Sequence, residues 1–405
     1  MNSNKNIPQL RFPEFKGEWD EKVLSECLEE RNEQFPENEN YPLMAFVAGR
    51  GVSPKGEKYD RSALVKDATN KKYKRTELGD FIYSSNNLEA GSIGFNTYGS
   101  ACISPVYSIF KSKNSIDSTF IGTLLTQRRF IAEMVKYRQG VVYGQWKIPE
   151  SEFLKMRVSV PSLDEQQKIA EFLSEIDNLI SAQGEKVDVL KEKKKGMMQL
   201  MFPQKGETTP RLRFPGFTGE WDYVDGDELF EAISNKNHNS DLPILALTQD
   251  QGAVPRDMIN YNVIVSDKSV AGYKVVEVDD FIISLRSFQG GIEYSRYKGL
   301  CSPAYIVLRK KSKELCSDFY RIYFKSFNYI QDLNKNLEGI RDGKMISYKQ
   351  FSEIKLPKPS PSEQQKIAAC LSAMDDMIAS ESAKLDALKD HKKGLMQQMF
   401  PQPNK

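Results

Sequence analysis

The sequence EQQKIA occurs at residues 165–170 and returns at residues 363–368, 198 positions further along the chain (363 − 165). A serine, Ser162 or Ser360, stands three residues before the glutamate that opens each copy. Serine followed three positions later by glutamate is the capping box that starts a helix, and Pro361 suits the first helical position of the second copy. The repeated stretch therefore predicts the first turn of two similar helices.

Apolar residues continue from each copy at alternating spacings of four and three, the heptad pattern of a coiled coil, for more than four heptads. Polar residues interrupt both seams at matching places, Gln183 with Glu381 and Lys194 with Lys392. A helix of about 37 residues is roughly 55 Å long, too long to cover one small domain. An amphipathic lid is the alternative for either helix alone, but the shared register favours an antiparallel coiled coil. The predicted helix–helix interface consists of Ile169, Leu173, Ile176, Ile180, Val187, Leu190, Met197, Ile367, Leu371, Met374, Ile378, Leu385, Leu388 and Leu395.

The rest of the chain is duplicated as well. QLRFPEFKGEWD (residues 9–20) and RLRFPGFTGEWD (residues 211–222) agree at 9 of 12 positions, and residues 161–204 agree with residues 359–402 at 25 of 44. The bodies between these segments share only short motifs. The contrast favours one fold used twice with two different surfaces, and drift after duplication is the alternative.

Composition limits the possible classes of protein. The chain has 405 residues, of which 40% are hydrophobic and 28% charged, and no run of 18 apolar residues occurs. These values predict a soluble, cytoplasmic protein of two or three domains, with no membrane partner. Five scattered cysteines without a C-x-x-C pair favour reduced thiols, and two histidines leave little material for a metal site. The net charge of +2 does not by itself indicate a nucleic-acid partner.

Strand-like and helical segments are mixed within both bodies, which predicts an α+β fold with two similar domains related by pseudo-two-fold symmetry. Strand-like runs cover residues 275–284 and 305–309, and helical stretches cover residues 120–137 and 318–337. The predicted limits are residues 1–160 for the first domain, 161–203 for the central helix, 204–358 for the linker and second domain, and 359–405 for the C-terminal helix and tail.

These motifs resemble those of the specificity subunit of type I restriction-modification systems. They are the EQQKIA starts, the LxxxDxxI cores (Leu173–Ile180 and Leu371–Ile378), the KKG-[ML]-M-Q-x-MFPQ endings and the LRFPxFxGEWD openings. The resemblance covers the whole chain in the right order. It implies two target recognition domains on an antiparallel helical spacer. It also implies a bipartite DNA target, with one half-site per domain and a gap set by the coiled coil.

The resemblance further implies a non-catalytic subunit that directs methyltransferase and restriction subunits to DNA. Its expected partners are double-stranded DNA, two type I methyltransferase subunits and restriction or translocase subunits. No cofactor is expected on this chain, because it lacks the glycine-rich S-adenosylmethionine loop, the N-P-P-[YF] motif and the P-loop. S-adenosylmethionine, ATP and Mg are expected on the partners. The alternatives are a coiled-coil adaptor that binds proteins without DNA specificity, and a self-contained nuclease or methyltransferase.

Candidate DNA contacts in the first body include a basic cluster formed by Lys66 and the run Lys71, Lys72, Tyr73, Lys74 and Arg75. Such a cluster suits phosphate contact, which contributes affinity without reading sequence. Base reading requires forked or amide side chains, chiefly arginine for guanine and asparagine or glutamine for adenine. Candidates for that role are Arg50, between two glycines, and Asn86 and Asn87, which follow a strand-like run.

In the second body, Arg286 and Gln289 occupy the place that aligns with Asn86 and Asn87. We therefore predict that the two bodies read different bases from the same structural position. Weaker phosphate candidates are Arg256, Arg296 and Lys298. A solvated charged loop, or asparagine retained for turn geometry, is the alternative for any single candidate. We predict no catalytic residue and no metal ligand.

Overall fold

The computed structural model describes residues 6–54, 71–142, 145–239, 241–259, 270–335 and 346–401. The chain forms two compact units. Unit 1 consists of residues 1–182 and 385–405, and unit 2 consists of residues 183–384. Both limits lie within long helices, Leu163–Met201 (the central helix) and Pro361–Gln398 (the C-terminal helix). Each unit therefore contains the start of one long helix and the end of the other.

Unit 1 is built around a four-stranded antiparallel sheet. Its described strands are β1 (Asp20–Val23), β2 (Leu28–Glu30), β3 (Gln34–Phe35), β4 (Ala45–Val47), β5 (Gly51–Ser53), β6 (Tyr73–Thr76), β7 (Phe81–Tyr83), β8 (Ile93–Phe95), β9 (Ala101–Ile103), β10 (Ser108–Ser112), β11 (Gln139–Val142), β12 (Gln145–Lys147) and β13 (Arg157–Val160). The main sheet has the order β2-β10-β7-β8, beside a smaller sheet β3-β6-β9 and the pairs β1-β13, β4-β5 and β11-β12. Its shorter helices are Leu24–Cys27, Ser118–Leu125, Arg128–Lys136 and Glu150–Phe153.

Unit 2 repeats this arrangement. Its described strands are β14 (Asp222–Asp225), β15 (Phe230–Ile233), β16 (Leu245–Thr248), β17 (Gly252–Pro255), β18 (Lys274–Val276), β19 (Phe281–Ile283), β20 (Glu293–Tyr294), β21 (Gly299–Cys301), β22 (Ile306–Lys310) and β23 (Lys355–Lys358). The main sheet has the order β15-β22-β19-β20, and the pairs are β14-β23, β16-β17 and β18-β21. Its shorter helices are Gly226–Leu229, Ser287–Gly290, Ser317–Tyr323, Phe327–Lys335 and Tyr348–Ser352, with a 3₁₀ turn at Arg256–Met258. The strand order confirms that one α+β fold is used twice.

The main sheet of each unit is buried on both faces. Because successive side chains of a strand point to opposite faces, Phe81 and Tyr83 enter the main core beneath the helices, whereas Ile82 joins a second cluster under the hairpin β4-β5. In unit 2, Phe281 and Ile282 divide in the same way between two clusters. One face of the sheet thus packs against the core that contains the long helices, and the hairpin packs on the opposite face.

Polar contacts between the two long helices show an antiparallel pairing. In unit 2, Gln183 Nε2 donates to Glu381 Oε2 at 2.7 Å, and Lys194 Nζ lies 2.5 Å from Asp375 Oδ1. Residue numbers rise along one helix while they fall along the other, so the helices run in opposite directions. In unit 1, Lys392 forms the matching ion pair with Asp177 at 2.5 Å. The polar residues that interrupt the seam are therefore satisfied by the facing helix.

Burial follows the predicted heptad seam. Buried seam residues are Ile169, Leu173, Ile176, Val187, Ile367, Leu371 and Met374; half-buried ones are Ile180, Leu190, Met197, Ile378, Leu385, Leu388 and Leu395. Apolar residues off the seam are exposed instead: Leu179 is 57% exposed, Val189 66% and Met377 48%. The predicted fold class, two α+β domains with two long helices in antiparallel coiled-coil pairing, is confirmed.

The first turn of each long helix is joined to its unit by a buried ion pair. Both carboxylate oxygens of Glu165 accept hydrogen bonds of 2.7 Å from Arg11, and Glu363 receives Arg213 at 2.7 and 2.9 Å. The capping boxes are therefore only half formed: serine Oγ accepts from the glutamate N–H, but the carboxylate binds an arginine. The sequence comparison missed this because the arginine lies about 150 residues away.

The glutamine that follows provides a second joint. Gln166 Oε1 accepts from Asp117 N at 2.9 Å, at the start of helix Ser118–Leu125. Gln364 Oε1 accepts from Cys316 N at 3.0 Å, at the equivalent helix start in unit 2. EQQKIA is thus repeated because each copy attaches a long helix to a domain through the same donors.

The ends of the long helices insert aromatic side chains into the cores. Phe202 packs on Phe319 in unit 2, and Phe400 packs on Trp19 in unit 1, with ring centroids 5.6 and 6.1 Å apart. The opening segments close over these ends: Leu212 N donates to Leu200 O, and Leu10 N donates to Gln398 O. In unit 1 the beginning and the end of the described chain therefore meet within one core.

Two predicted runs are interrupted in the structure. The strand-like residues 275–284 form β18 and β19, separated by a turn in which Glu277 N donates to Asp280 Oδ2 at 2.8 Å and Asp279 has φ of 75°. The helical residues 120–137 form two helices, with an extended backbone at Gln127. Residues 318–337 likewise contain two helices, and their last two residues lie outside the described part. Turn geometry of this kind overrides apolar continuity.

Candidate nucleic-acid interface

A hairpin turn and a loop meet at one corner of unit 1. The turn joins β4 to β5 and carries Arg50, whose side chain is exposed. The loop, residues 84–92, follows β7. A methyl group placed on Gly91 of this loop would lie 3.4 Å from the Cβ of Ala48 in the turn. The hairpin is held close to the sheet because a Cβ on Gly51 would approach Phe95 O to 2.9 Å.

The asparagines predicted to read bases lie in this loop. Asn87 is exposed and Asn86 is half-buried. The Asn87 backbone is held at both polar atoms, since its N–H donates to Ser84 O and its carbonyl accepts from Ser92 N. The structure therefore brings Arg50 and the Asn86–Asn87 pair, 36 residues apart in the chain, to one exposed corner.

Unit 2 has the equivalent corner, with different side chains. The loop after β19, residues 284–291, exposes Arg286 and Gln289. It lies against the turn between β16 and β17, because a methyl group on Gly290 would approach the Gln249 side chain to 2.7 Å. Gln251, in the same turn, is also exposed.

The sequence comparison missed Gln249 and Gln251 as candidate base readers. A signal was present, since Gln251 stands directly before the glycine that begins β17, as Arg50 stands directly before the glycine that begins β5. Short insertions between the two bodies hide this alignment. The strand pairing reveals it because the two hairpins occupy the same place in the two units.

The predicted basic cluster of unit 1 is only partly available to a ligand. Lys71 and Lys72 are exposed, whereas Lys74 is only 6% exposed in β6, so the structure does not present its side chain for the predicted phosphate contact. Strand geometry explains the difference, because alternate side chains of β6 point inward. Tyr73 is half-buried, with Lys71 Nζ 5.7 Å from its ring centroid. Lys66 lies outside the described residues.

Arg75 is held by acidic neighbours. Its guanidinium lies 2.9 Å from Glu33 and 2.5 Å from Glu77. Burial opposes ionisation of Glu77, but hydrogen bonds from Tyr41, Ser100 and Arg75 lower its pKa to about 2. Glu77 is therefore charged at neutral pH, and Arg75 is better placed to brace this sheet than to meet a phosphate.

The remaining phosphate candidates of unit 2 differ in availability. Arg296 is exposed, and Lys298 forms an ion pair of 3.0 Å with Glu277 that leaves its side chain 53% exposed. Arg256 is half-buried, and its backbone N–H donates to Ile244 O. Only Arg296 and Lys298 of this group present an exposed side chain.

The described residues include histidine, cysteine, aspartate and glutamate side chains, the usual protein ligands of metal ions. Among them, no group of three or more His, Cys, Asp or Glu side chains is arranged to hold a metal ion. Burial raises the pKa of Cys27 to about 11 and that of Cys301 to about 12, so both thiols are protonated at neutral pH. No helix in the part of the chain that the structure describes is long and apolar enough to cross a membrane.

The two exposed corners, one in each unit, carry arginine and amide side chains, the chemistry that direct reading of DNA bases requires. The family described as type I restriction modification DNA specificity domain matches residues 25–192 and again residues 219–390. The chain belongs to this family and contains its domain twice. The DNA-specificity role of the family does not fit the alternative of an adaptor without DNA specificity.

Similar proteins cover almost the whole chain. The MjaX specificity subunit of a type I restriction enzyme from Methanocaldococcus jannaschii is 25% identical, over 97% of this chain and 95% of its own length. The MjaVIII specificity subunit of the same organism is 23% identical, with 84% of each chain covered. The crystal structure of a type I restriction-modification S subunit from M. genitalium superposes with a TM-score of 0.59 at 14% identity, over 98% of this chain and all of that chain. A structure from work on complex assembly of a type I system has a TM-score of 0.54 at 16% identity, covering 94% of this chain and 97% of that one.

Proposed function

We propose that this chain is the DNA-recognition subunit of a type I restriction-modification complex and reads a two-part duplex target, one half with each unit. The observation that carries the proposal is the pair of equivalent corners. The same hairpin and the same loop meet in each unit, but the exposed side chains differ in chemistry.

The side chains suit base reading in the major groove. In unit 1, the Arg50 fork matches the acceptor edge of guanine, and the amide of Asn87 or Asn86 matches adenine. In unit 2, Arg286 is joined by the amides of Gln289 and Gln251, so a different order of bases is expected. We expect phosphate contacts from Lys71, Lys72, Arg296 and Lys298, which add affinity without specificity.

The two long helices set the unread gap in this proposal. Residues 1–160 and 204–358 form the recognition domains, and residues 161–203 and 359–405 form the spacer. Two observations support this: both helices are continuous, and buried ion pairs of Glu165 and Glu363 attach each helix firmly to a domain. A rigid attachment would make the gap a structural property.

The chemistry belongs to partner subunits in this proposal. Two methyltransferase subunits supply S-adenosylmethionine chemistry, and restriction subunits supply ATP- and Mg-dependent cleavage, all in the cytoplasm. The chain itself then acts only by binding. Purified alone with DNA and S-adenosylmethionine, it should leave DNA unmethylated until the methyltransferase subunit is added.

The decisive experiment exchanges residues 21–160 for the corresponding body of another family member. The exchanged chain and its methyltransferase subunit are expressed in a host without DNA methylation, and methylated sites are sequenced. One half of the recognised site should change while the other half and the gap stay the same. A change in both halves would exclude the division of labour, and methylation indifferent to sequence would exclude the proposed function.

A matched control lengthens the spacer without altering either reader. Insertion of about four residues, roughly one turn, into each long helix should change the gap. Both half-sites should remain those of the parent chain. An altered half-site with an unchanged gap would show that the helices do not set the spacing.

A further inference from the structure

Lys325 binds the backbone of residues 284–291, the proposed reading loop of unit 2. Lys325 Nζ donates to Gly290 O at 2.9 Å, within the turn that exposes Arg286 and Gln289. The same ammonium lies 2.6 Å from Glu293 Oε1. Lys325 thus connects a backbone carbonyl of the loop to a carboxylate in the sheet.

Glu293 makes a rigid anchor for this lysine. It belongs to β20, where it pairs with Ile282 of β19, and its side chain is 5% exposed. Lys325 is 26% exposed and lies just after helix Ser317–Tyr323, where its backbone N–H donates to Ile322 O. Glu293 therefore lies in a strand and Lys325 in the turn that ends a helix. The loop carbonyl receives a charge-assisted bond, stronger than one between neutral groups.

The backbone packing around the lysine leaves the loop little freedom. Gly291 has φ of 82°, and a Cβ at this position would lie 2.0 Å from Phe324 O. Only glycine permits so close an approach. The loop therefore lies directly against the segment that carries Lys325.

In unit 1 a cation from another segment also binds the loop, but there both of its acceptors belong to residues 84–92. Arg138 Nε donates to Ser85 O at 3.0 Å, and its two terminal nitrogens bind Glu89 at 2.8 and 2.6 Å. The Arg138 side chain is 11% exposed. The residue that aligns with Lys325 is Thr126, so the two holders are not copies of one ancestral pair.

We propose that Lys325, anchored by Glu293, and Arg138, bound to Glu89, are positioning residues for the two reading loops. Each determines the base preference of its own half-site without touching DNA. This inference rests on the proposed function. Base-reading forks must be held within about 0.5 Å of their productive geometry. Loss of the cation would release the loop carbonyl and with it the reading side chains.

The test uses the full chain with its methyltransferase subunit in a methylation-free host. Sequencing measures how strongly each single-base change in the target reduces methylation. Lys325→Met should lower discrimination at the half-site of unit 2 about tenfold and leave the other half-site unchanged. Arg138→Met should produce the opposite pattern. A merely structural role would lower methylation at all sites together, without changing base preference.

Matched variants keep the result interpretable. Lys325→Arg retains both contacts and should restore preference, and Lys335→Met, which removes an exposed lysine from the next helix, should change nothing. If Lys325→Met does not fold, Glu293→Gln removes the anchoring charge at constant volume and should relax the same half-site to a smaller extent. Parental preference in the Lys325 and Arg138 variants, or loss at both half-sites in either, would overturn the inference. Absence of any two-part target for the parent chain would instead refute the proposed function.

Discussion

The contacts that attach each long helix to its unit match residue for residue between the two units. The exposed corners formed by the hairpin and the loop do not. Glu165 with Arg11 and Glu363 with Arg213 form the same bidentate pair, and Gln166 and Gln364 each accept a hydrogen bond from a backbone N–H at an equivalent helix start. In the loops at the corners, Arg286 and Gln289 of unit 2 stand in place of Asn86 and Asn87 of unit 1. The comparison separates parts that must fit one scaffold from parts that are free to change.

The physical reason lies in burial. A buried ion pair tolerates no one-sided change, because the remaining charge is left without a partner. Exposed loop residues carry no such constraint, provided that the loop is held. Arg138 and Lys325 bind the two loops from non-equivalent positions in the fold. The residue that holds a loop can therefore change together with the loop.

The largest expected effect tests whether the ion pairs Arg11–Glu165 and Arg213–Glu363 are equivalent. Arg11→Ala and Arg213→Ala each leave a buried glutamate unpaired and should each lower the free energy of unfolding by about 3–5 kcal/mol. Denaturant unfolding measures this. Lys168→Ala, which removes an exposed pair with Glu14, should cost less than about 1 kcal/mol. A large loss in one unit and none in the other would show that the joints are not equivalent.

The next effect tests the difference between the corners. Arg286→Ala should remove about 1–3 kcal/mol of discrimination against the wrong base in one half-site. Competition binding of the assembled complex to duplexes with single-base changes measures this loss. Arg50→Ala is the counterpart and should affect the other half-site only. If both variants lower base discrimination in the same half-site, the assignment of one corner to each half-site is wrong.

The smallest effect distinguishes two neighbouring lysines. Lys72→Ala should weaken binding to all duplexes alike and reduce the slope of log affinity against log salt by about 1. Lys74→Ala should leave the slope unchanged, because this side chain is buried in β6. Titrations at several salt concentrations provide the measurement. A lowered slope for Lys74→Ala would mean that strand β6 turns outward on binding.

Much of the fold could be predicted because its signals are local. The serine caps and the heptad seam each depend on residues within a few turns of one another. The internal repeat relates distant segments, but it is visible in the sequence itself. The candidate sites were harder to predict, since a run of basic residues does not reveal which side chains a strand turns inward. Lys74 and Arg75 illustrate this. The side chain of Lys74 is buried, and that of Arg75 binds Glu33, which lies 42 residues away in the chain.

The sequence by itself determined the duplication, the two long helices and their polar matches, because periodicity and repetition are properties of the chain. Only the tertiary structure decided which residues share a corner. Arg50 meets the Asn86–Asn87 loop, and Gln249 meets the Gly290 turn, because strand pairing brings each hairpin beside the loop. The same holds for Arg11 with Glu165 and for Lys325 with Glu293. Contacts between segments distant in sequence depend on strand register and packing, which no local pattern specifies.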